Sequence, residues 1–174
     1  MTTHKEIDQR NEVFFVTFTC HKWIPLFQHT SIYDQFDKWF EYLKSNHVQI
    51  LGYVIMPNHF HGLFILKDEC QKTINSIIGN GKRFLAYEIV RRLRSSNQLN
   101  LLNKLVSGVP KNEQQKGKKH QVFQPSFDVK ICFSRTMLES KLDYIYHNPT
   151  QGKWQLAEDW TQYKYSSASF YMRE

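Results

Sequence analysis

Cysteine is scarce in this sequence, with three residues in a chain of 174. Cys20, Cys70 and Cys132 lie far apart and form no CxxC pair. A disulfide framework is therefore not expected, and neither is a zinc site built from cysteines. Reduced thiols of this kind fit a cytosolic protein best.

A long apolar run is also missing. No stretch approaches the roughly 20 residues that a membrane-spanning helix needs. The amino end is charged where a signal peptide has its apolar segment. The sequence shows no internal repeat and no sign of a second domain. We therefore expect one soluble, cytoplasmic domain over residues 1–174 that contacts no membrane.

Aromatic and basic residues, by contrast, are plentiful. Hydrophobic residues make up 41% of the chain and aromatic residues 15%, which suits a folded domain with a proper core. The formal net charge of +7 would attract polyanions, although the same charge also serves solubility. Because aromatic side chains stack on bases, nucleic acid is the leading class of partner. A protein of that kind would associate with the nucleoid.

The spacing of apolar residues predicts four strands and three helices. The strands are expected at residues 13–20, 48–56, 59–66 and 122–133, and the helices at residues 30–46, 73–93 and 136–147. The order β-α-β-β-α-β, followed by a further helix, is that of a ferredoxin-like sandwich. We predict an α+β fold with a four-stranded antiparallel sheet, helices on one face and a C-terminal helical extension.

Two local expectations concern the first two predicted helices. Thr30 or Ser31 is expected to cap the start of the first helix. Gly79 and Gly81 would each weaken the second helix by about 1 kcal/mol relative to alanine. A kink or a split at these glycines would therefore be compatible with the sequence.

Residues 53–64 (YVIMPNHFHGLF) carry the strongest chemical signal. His59 and His61 are separated by one residue on a predicted strand, and alternate residues of a strand point to the same face. Phe60 turns to the opposite, apolar face. A lone His-X-His on a strand is more often structural, but two imidazoles directed at one point also suit a metal ion.

The last predicted helix supplies two more candidates. Tyr144 and Asn148 are four residues apart and therefore share one helix face. If that face lies beside the third strand, His59, His61 and Asn148 would hold a divalent ion. Mixed nitrogen and oxygen ligands suit Mg²⁺ or Mn²⁺, which would polarise a phosphodiester. Tyr144 would then be the nucleophile and form a covalent phosphotyrosine link.

Two alternatives stay open at this helix. Asn148 precedes Pro149 and would serve equally well as a plain C-terminal cap. Tyr146 is a second phenol in the same helix. Helical geometry turns it about 160° away from Tyr144, and we favour Tyr144 as the nucleophile.

These motifs resemble those of single-tyrosine HUH transposases (His, hydrophobic residue, His), the group that includes the REP-associated tyrosine transposases. The resemblance rests on residues 56–61 (MPNHFH), 123–127 (FQPSF), 144–145 (YI), 148–149 (NP), Trp160 and 165–168 (YSSA). It implies a ferredoxin-like fold with His59, His61 and Asn148 as metal ligands. It also implies that Tyr144 is the nucleophile. Family members cut and rejoin single-stranded DNA beside a hairpin, leaving a 5′-phosphotyrosine and a free 3′-hydroxyl.

Further DNA contacts would come from basic residues of the second predicted helix and the segment after it. The candidates are Lys82, Arg83, Arg91, Lys118 and Lys119. Such charges most often form a solvated helix face, but in a basic nuclease they also suit phosphates. Residues 95–121 are predicted to form a basic mobile loop, and residues 150–174 a C-terminal extension. The tryptophans, Trp23, Trp39, Trp154 and Trp160, are interpreted as core residues rather than as stacking platforms.

The predicted function is metal-dependent nicking and strand transfer on single-stranded DNA, by a monomer or a homodimer. A replication initiator or relaxase is one alternative, although such enzymes usually bring a third histidine or an acidic group to the metal. A domesticated hairpin-binding protein that no longer cuts DNA is another. An RNA-binding ferredoxin-like module would need stacking aromatics on the strand face that His59 and His61 occupy.

Overall fold

The computed structural model describes residues 9–171. In this range the strands are β1 (Val13–Thr19), β2 (Val48–Ile55), β3 (His59–Leu66) and β4 (Asp128–Cys132). The α-helices are α1 (Leu26–Thr30), α2 (Tyr33–Ser45), α3 (Ile74–Ser95), α4 (Leu99–Ser107), α5 (Lys111–Gln114), α6 (Arg135–His147) and α7 (Ala168–Tyr171). Short 3₁₀ turns lie at His21–Trp23, Asn148–Thr150 and Trp160–Gln162.

The four strands form one antiparallel sheet in the order β2-β3-β1-β4. This order confirms the predicted α+β, ferredoxin-like arrangement. The register between β1 and β3 places Thr19 opposite His59 and Thr17 opposite His61. Both histidines therefore lie on an inner strand, with a neighbouring strand on each side.

One face of the sheet is covered by α2 and α3. Phe14, Val16 and Phe18 of β1 point to this face, where they join a large core that includes Phe60 and Trp39. Side chains alternate across a strand, so the residues between them on β1 and β3 point to the other face. Phe60 thus lies in the core as predicted, on the side of the sheet opposite its two histidine neighbours.

The opposite face of the sheet is covered by α6 and the chain that follows it. Phe15 of β1, Leu63 of β3 and Ile145 of α6 pack there in a smaller cluster. The chain after α6 is tied to the end of β2, where the Ile55 N–H donates to the Tyr165 carbonyl at 2.8 Å. α6 therefore lies on the face of the sheet that carries both histidines.

The helix α3 is unbroken, without the kink or split that Gly79 and Gly81 would allow. A Cβ atom on Gly81 would lie 2.4 Å from Cε2 of Trp39. Gly81 therefore permits close packing of α3 against α2, and this packing offsets the low helix propensity of glycine. Thr73 caps the helix, its hydroxyl accepting from the Ser76 N–H at 3.2 Å. Within residues 9–171 no helix has the length and apolar content to cross a bilayer.

The helix predicted over residues 30–46 corresponds to α2, which begins later, at Tyr33, and a separate short helix, α1, ends at Thr30. Thr30 ends α1, and its hydroxyl donates to the Leu26 carbonyl at 2.6 Å. Ser31 has a left-handed φ of 46° and links the two helices. The helix α2 begins after Ile32 without a side-chain cap. The prediction that Thr30 or Ser31 caps this helix was wrong, because both residues serve the end of α1.

The loop predicted over residues 95–121 contains α4 and α5. Leu102 and Leu105 of α4 are buried against the core, and the Gln121 N–H donates to the Leu105 carbonyl at 2.8 Å. The prediction that residues 95–121 form a basic mobile loop was therefore wrong in that α4 and α5 are helices. The leucines of α4 recur at helical spacing, so the sequence did carry a signal for this helix. Its nine residues draw most of their stability from tertiary packing.

The strand β4 is shorter than the predicted 122–133. Phe123 forms only an isolated bridge with Cys20, and regular pairing with β1 begins at Asp128. Pro125 has no N–H to donate to a ladder of hydrogen bonds, which accounts for the irregular start.

Candidate active site

The two histidines of β3 face α6 and lie side by side. The ring centroids of His59 and His61 are 4.8 Å apart. Both side chains are buried, with exposed fractions of 7% and 4%. Their proximity follows from the two-residue period of the strand, as the sequence predicts.

The orientation of His59 is set by Asn58. The His59 Nδ1 atom lies 2.7 Å from Asn58 Oδ1. The other end of the same amide, Asn58 Nδ2, donates to the Trp23 carbonyl at 2.9 Å. Because this contact fixes which end of the amide is the oxygen, His59 Nδ1 carries the hydrogen and Nε2 keeps its lone pair. Such an outer partner is typical of a metal-ligating histidine.

Thr17 holds the His61 ring from the neighbouring strand. Its hydroxyl oxygen lies 2.6 Å from His61 Nδ1, across the β1–β3 pair. The remaining nitrogen, His61 Nε2, is buried and has no hydrogen-bond partner among the described residues. A buried nitrogen without a partner costs free energy, and this cost is removed when the lone pair binds a cation. The pair of nitrogens thus fits a divalent metal ion.

Burial keeps both imidazoles neutral. Desolvation lowers the pKa of His59 to about 4, opposed in part by a hydrogen bond with Asn148. Desolvation, with smaller effects from the charges of His59 and Lys141, lowers the pKa of His61 to about 3. Only a neutral imidazole has a lone pair to offer, so both side chains are in the ligating form at neutral pH.

The helix α6 brings Tyr144 and Asn148 to these histidines. The Asn148 side chain hydrogen bonds to His59, from the first position of the 3₁₀ turn that ends α6. The Tyr144 ring is 5.0 Å from the His61 ring and 6.1 Å from that of Phe15. Tyr144 remains 47% exposed, so a large substrate can reach its phenol. The structure thus brings together all four residues that the sequence assigns to the site.

Tyr146 lies on another side of α6. Its ring stacks on Trp160 with centroids 5.6 Å apart, and its hydroxyl hydrogen bonds with Ser167. Only 8% of Tyr146 is exposed, and burial raises the pKa of its phenol. The geometry therefore favours Tyr144 over Tyr146 as a nucleophile, in line with the 100° rotation per residue of a helix.

Lys141 is a component of the site that the sequence did not suggest. Its Nζ atom lies 4.8 Å from the Phe15 ring centroid and 6.0 Å from that of Tyr144. No carboxylate within residues 9–171 forms an ion pair with it. The sequence feature that could have identified Lys141 is its position, one helical turn before Tyr144.

The five candidate DNA contacts line one groove of about 970 Å³ between α3 and the chain after α5. They are Lys82, Arg83, Arg91, Lys118 and Lys119. Tyr87 and Arg94 line the same groove and were not identified from the sequence; Tyr87 is 74% exposed. Concentrated positive charge beside an exposed aromatic ring suits a nucleic acid backbone with unpaired bases.

The cations of this groove differ in their surroundings. Lys82 is partly buried and donates to the carbonyls of Gln124 and Ser126 at 2.9 and 3.2 Å. Burial, aided by the charge of Lys118, lowers the pKa of Lys82 to about 8. Arg91 is paired with Glu88, its Nε donating at 2.8 Å. Lys82 therefore also holds the chain after α5 in place, and the charge of Arg91 is partly compensated.

The tryptophans do not all lie in the core. Trp39 does, with 2% of its surface exposed. Trp23 is 55% exposed, and its ring centroid is 5.8 Å from that of His59. The interpretation of Trp23 as a core residue was therefore wrong. The sequence gives no sign of this exposure, because it depends on a left-handed turn at Lys22 and Trp23.

Comparison with known proteins bears on the fold. No protein-family model matches the chain, and no curated protein sequence does either. A solved structure of a REP-associated tyrosine transposase bound to a REP hairpin matches 98% of this chain and 84% of its own, with a TM-score of 0.64 and 14% identity. The two proteins share one fold. A transposase candidate from Deinococcus radiodurans R1 matches 83% of this chain and 95% of its own at 16% identity, with a TM-score of only 0.43.

Proposed function

We propose that this protein nicks and rejoins single-stranded DNA, with Tyr144 as the nucleophile and a divalent ion as cofactor. The observation that carries the proposal is the juxtaposition of Tyr144 with two neutral, oriented histidines. The rings of His61 and Tyr144 are 5.0 Å apart, and His61 Nε2 is buried without a partner among the described residues. A tyrosine can act as a covalent nucleophile, and a metal ion beside it can polarise a phosphodiester, so the arrangement suits attack on the DNA backbone.

The metal ligands in this proposal are His59, His61 and Asn148. Mg²⁺ or Mn²⁺ held there would act as a Lewis acid on the oxygens of the scissile phosphate. Asn58 and Thr17 hold the two imidazoles by their Nδ1 atoms, which leaves Nε2 of each ring as the atom that would bind the metal. Asn148 would contribute its amide oxygen.

The covalent step belongs to Tyr144. Its phenolic oxygen forms a bond to phosphorus while the bond from phosphorus to the 3′-oxygen of the preceding nucleotide breaks. The phenol loses its proton to water, which reaches the half-exposed side chain, and the departing 3′-oxygen takes a proton from water. The product is a 5′-phosphotyrosine and a free 3′-hydroxyl. Attack by another 3′-hydroxyl reverses the step and joins a new strand.

The proposed DNA substrate carries a hairpin beside the cut. The groove lined by Lys82, Arg83, Lys118 and Lys119 offers the positive charge that a folded strand requires. The solved transposase of the same fold is bound to a REP hairpin, which supports this choice of partner. Single-stranded bases next to the hairpin would then extend towards Tyr144.

A relaxase or replication initiator receives less support. Such enzymes usually bring a third histidine or an acidic group to the metal. Within residues 9–171, no group of three or more His, Cys, Asp or Glu residues is arranged to hold a metal ion. The amide of Asn148 next to His59 suits a transposase of the REP-associated kind better.

A covalent-adduct assay tests the proposal. A pool of oligonucleotides, each with a hairpin flanked by randomised single-stranded positions, is incubated with the protein and Mn²⁺. DNA labelled at the 3′ end should become covalently attached to the protein, whereas 5′-labelled DNA should yield a shorter free fragment. Tyr144→Phe and His59→Ala should abolish the adduct, and Tyr146→Phe should retain it.

Each other outcome has a distinct meaning. An adduct that survives Tyr144→Phe and disappears in Tyr146→Phe would refute the assignment of the nucleophile. Tight hairpin binding by the wild type without any adduct would favour a DNA-binding protein that no longer cuts.

A further inference from the structure

The 3₁₀ turn His21–Trp23 connects the basic groove to the candidate active site. At its first residue, the His21 N–H donates to the carbonyl of Val122, which lines the groove. At its last residue, the Trp23 carbonyl accepts from Asn58, the residue that orients His59. A strand that leaves the groove for Tyr144 would therefore pass over this turn.

The turn holds a large aromatic ring in solvent. Lys22 and Trp23 have left-handed φ angles of 50° and 60°, which β-carbon-bearing residues adopt at a cost. Hydrogen bonds hold this conformation: the Trp23 N–H donates to the Cys20 carbonyl at 3.0 Å, and the Ile24 N–H donates to that of His21 at 3.1 Å. The indole remains 55% exposed instead of being buried in the adjacent core.

The exposed indole lies at the entrance of the site. Its ring centroid is 5.8 Å from that of His59, and the two planes meet at 69°. The base next to a phosphate bound at the two histidines would thus lie within reach of the indole. Lys22, which is exposed beside it, offers a positive charge to the backbone of the same strand.

We propose that Trp23 is a stacking platform for the unpaired base next to the cleaved phosphate, and that Lys22 contacts the strand between this base and the groove. This inference rests on the proposed function. It adds to that function the path that the single strand takes from the basic groove to Tyr144. Stacking is tolerant of sequence, because every base has a π face. Trp23 would therefore position the strand without reading its sequence.

Fluorescence of 2-aminopurine tests the stacking directly. The probe is a DNA hairpin with a single-stranded thymidine flank that carries one 2-aminopurine, placed at successive positions of the flank in successive probes. In Mn²⁺, with Tyr144→Phe as the background so that the strand stays uncut, one position should be strongly quenched on binding. Trp23→Ala should abolish this quenching and weaken binding about 5- to 150-fold, the range for loss of one base–aromatic stack. Trp23→Phe should restore most of both.

Two control variants separate stacking from general damage. Phe133→Ala removes another exposed aromatic ring, which lies at the far end of the sheet from His59. This variant should change neither the quenching nor the affinity. Lys22→Gln should weaken binding and lower its salt dependence while leaving the quenching of bound probe intact. Circular dichroism should give the same unfolding temperature for Trp23→Ala as for its background, because the ring is exposed.

The inference and the proposed function fail separately. If the wild type forms the Tyr144 adduct but Trp23→Ala binds and quenches normally, the stacking role is refuted and the function stands. If no position of the probe is quenched by a protein that still cuts DNA, the path over the turn is also refuted. If the wild type neither binds nor cuts single-stranded DNA, the proposed function itself is refuted.

Discussion

Two glycines of α3, two residues apart, should respond to alanine in opposite directions. A Cβ on Gly79 would have no heavy atom within 4 Å other than its chain neighbours and the backbone of its own helix. A Cβ on Gly81 would lie 2.4, 2.5 and 2.7 Å from three atoms of the Trp39 indole. Both glycines lie in the same helix, and replacing either one with alanine changes the helix propensity by the same amount. Any difference in stability between the two variants therefore reports how closely α3 approaches α2.

The expected magnitudes follow from these distances. Gly79→Ala should stabilise the protein by about 1 kcal/mol, the difference in helix propensity between glycine and alanine. Gly81→Ala gains the same amount but forces the indole or the helix to move, and overpacking of this kind costs about 1–3 kcal/mol. Because three ring atoms overlap the new methyl group, we expect the upper end of that range and a net loss of about 2 kcal/mol.

Thermal unfolding followed by circular dichroism measures both effects. For a chain of this size, 1 kcal/mol corresponds to a change in unfolding temperature of about 2–4 °C. The unfolding temperature of Gly79→Ala should therefore be higher than that of the wild type by about that amount. The unfolding temperature of Gly81→Ala should be lower by about twice as much. The double variant Gly81→Ala with Trp39→Phe should lose less stability than the two single changes summed, because the smaller ring makes room for the methyl group. An unfolding temperature of Gly81→Ala equal to that of Gly79→Ala would refute the tight contact between the helices.

Thr17→Val should lower the affinity for Mn²⁺ about 10- to 100-fold, because His61 loses its outer partner; calorimetric titration that shows unchanged affinity would contradict the role of Thr17. Chelation of divalent ions should abolish nicking but leave hairpin binding in a gel-shift assay, and loss of both would mean that the metal also builds the DNA surface. Binding of single-stranded DNA should weaken as the pH rises from 7 to 9, since burial lowers the pKa of Lys82 to about 8 and the lysine is charged only below that value. Lys82→Arg stays charged, so its affinity, measured by fluorescence anisotropy, should change less over the same range.

Much of the candidate site could be predicted because its geometry is local in sequence. A strand places His59 and His61 on one face by its period of two, and a helix places Tyr144 and Asn148 on one face by its period near four. The strands of the sheet were predictable for the same reason, since β-branched and aromatic residues dominate them. These local patterns do not determine that the histidine face of β3 packs against the Tyr144 face of α6.

The features that escaped prediction depend on tertiary packing. α4 has leucines at helical spacing, but so short a helix depends for its stability on the burial of Leu102 and Leu105 against the core. The burial of Lys82 depends on carbonyl groups more than 40 residues away. The exposure of Trp23 depends on a backbone turn held by Asn58 from another part of the chain. No pattern of neighbouring residues encodes contacts of this kind.

The two faces of the sheet are packed unequally, and substitutions on them should therefore have different effects on abundance and activity. The face towards α2 and α3 holds the larger buried cluster, while the face towards α6 holds a smaller one together with both histidines. In a mutational scan scored for cellular abundance and for the proposed DNA cleavage, substitutions on the first face should reduce both scores together. Substitutions at Tyr144 or Trp23 should leave abundance high and reduce activity alone. The proposed activity can thus be lost through one face of the sheet while the other face keeps the protein folded.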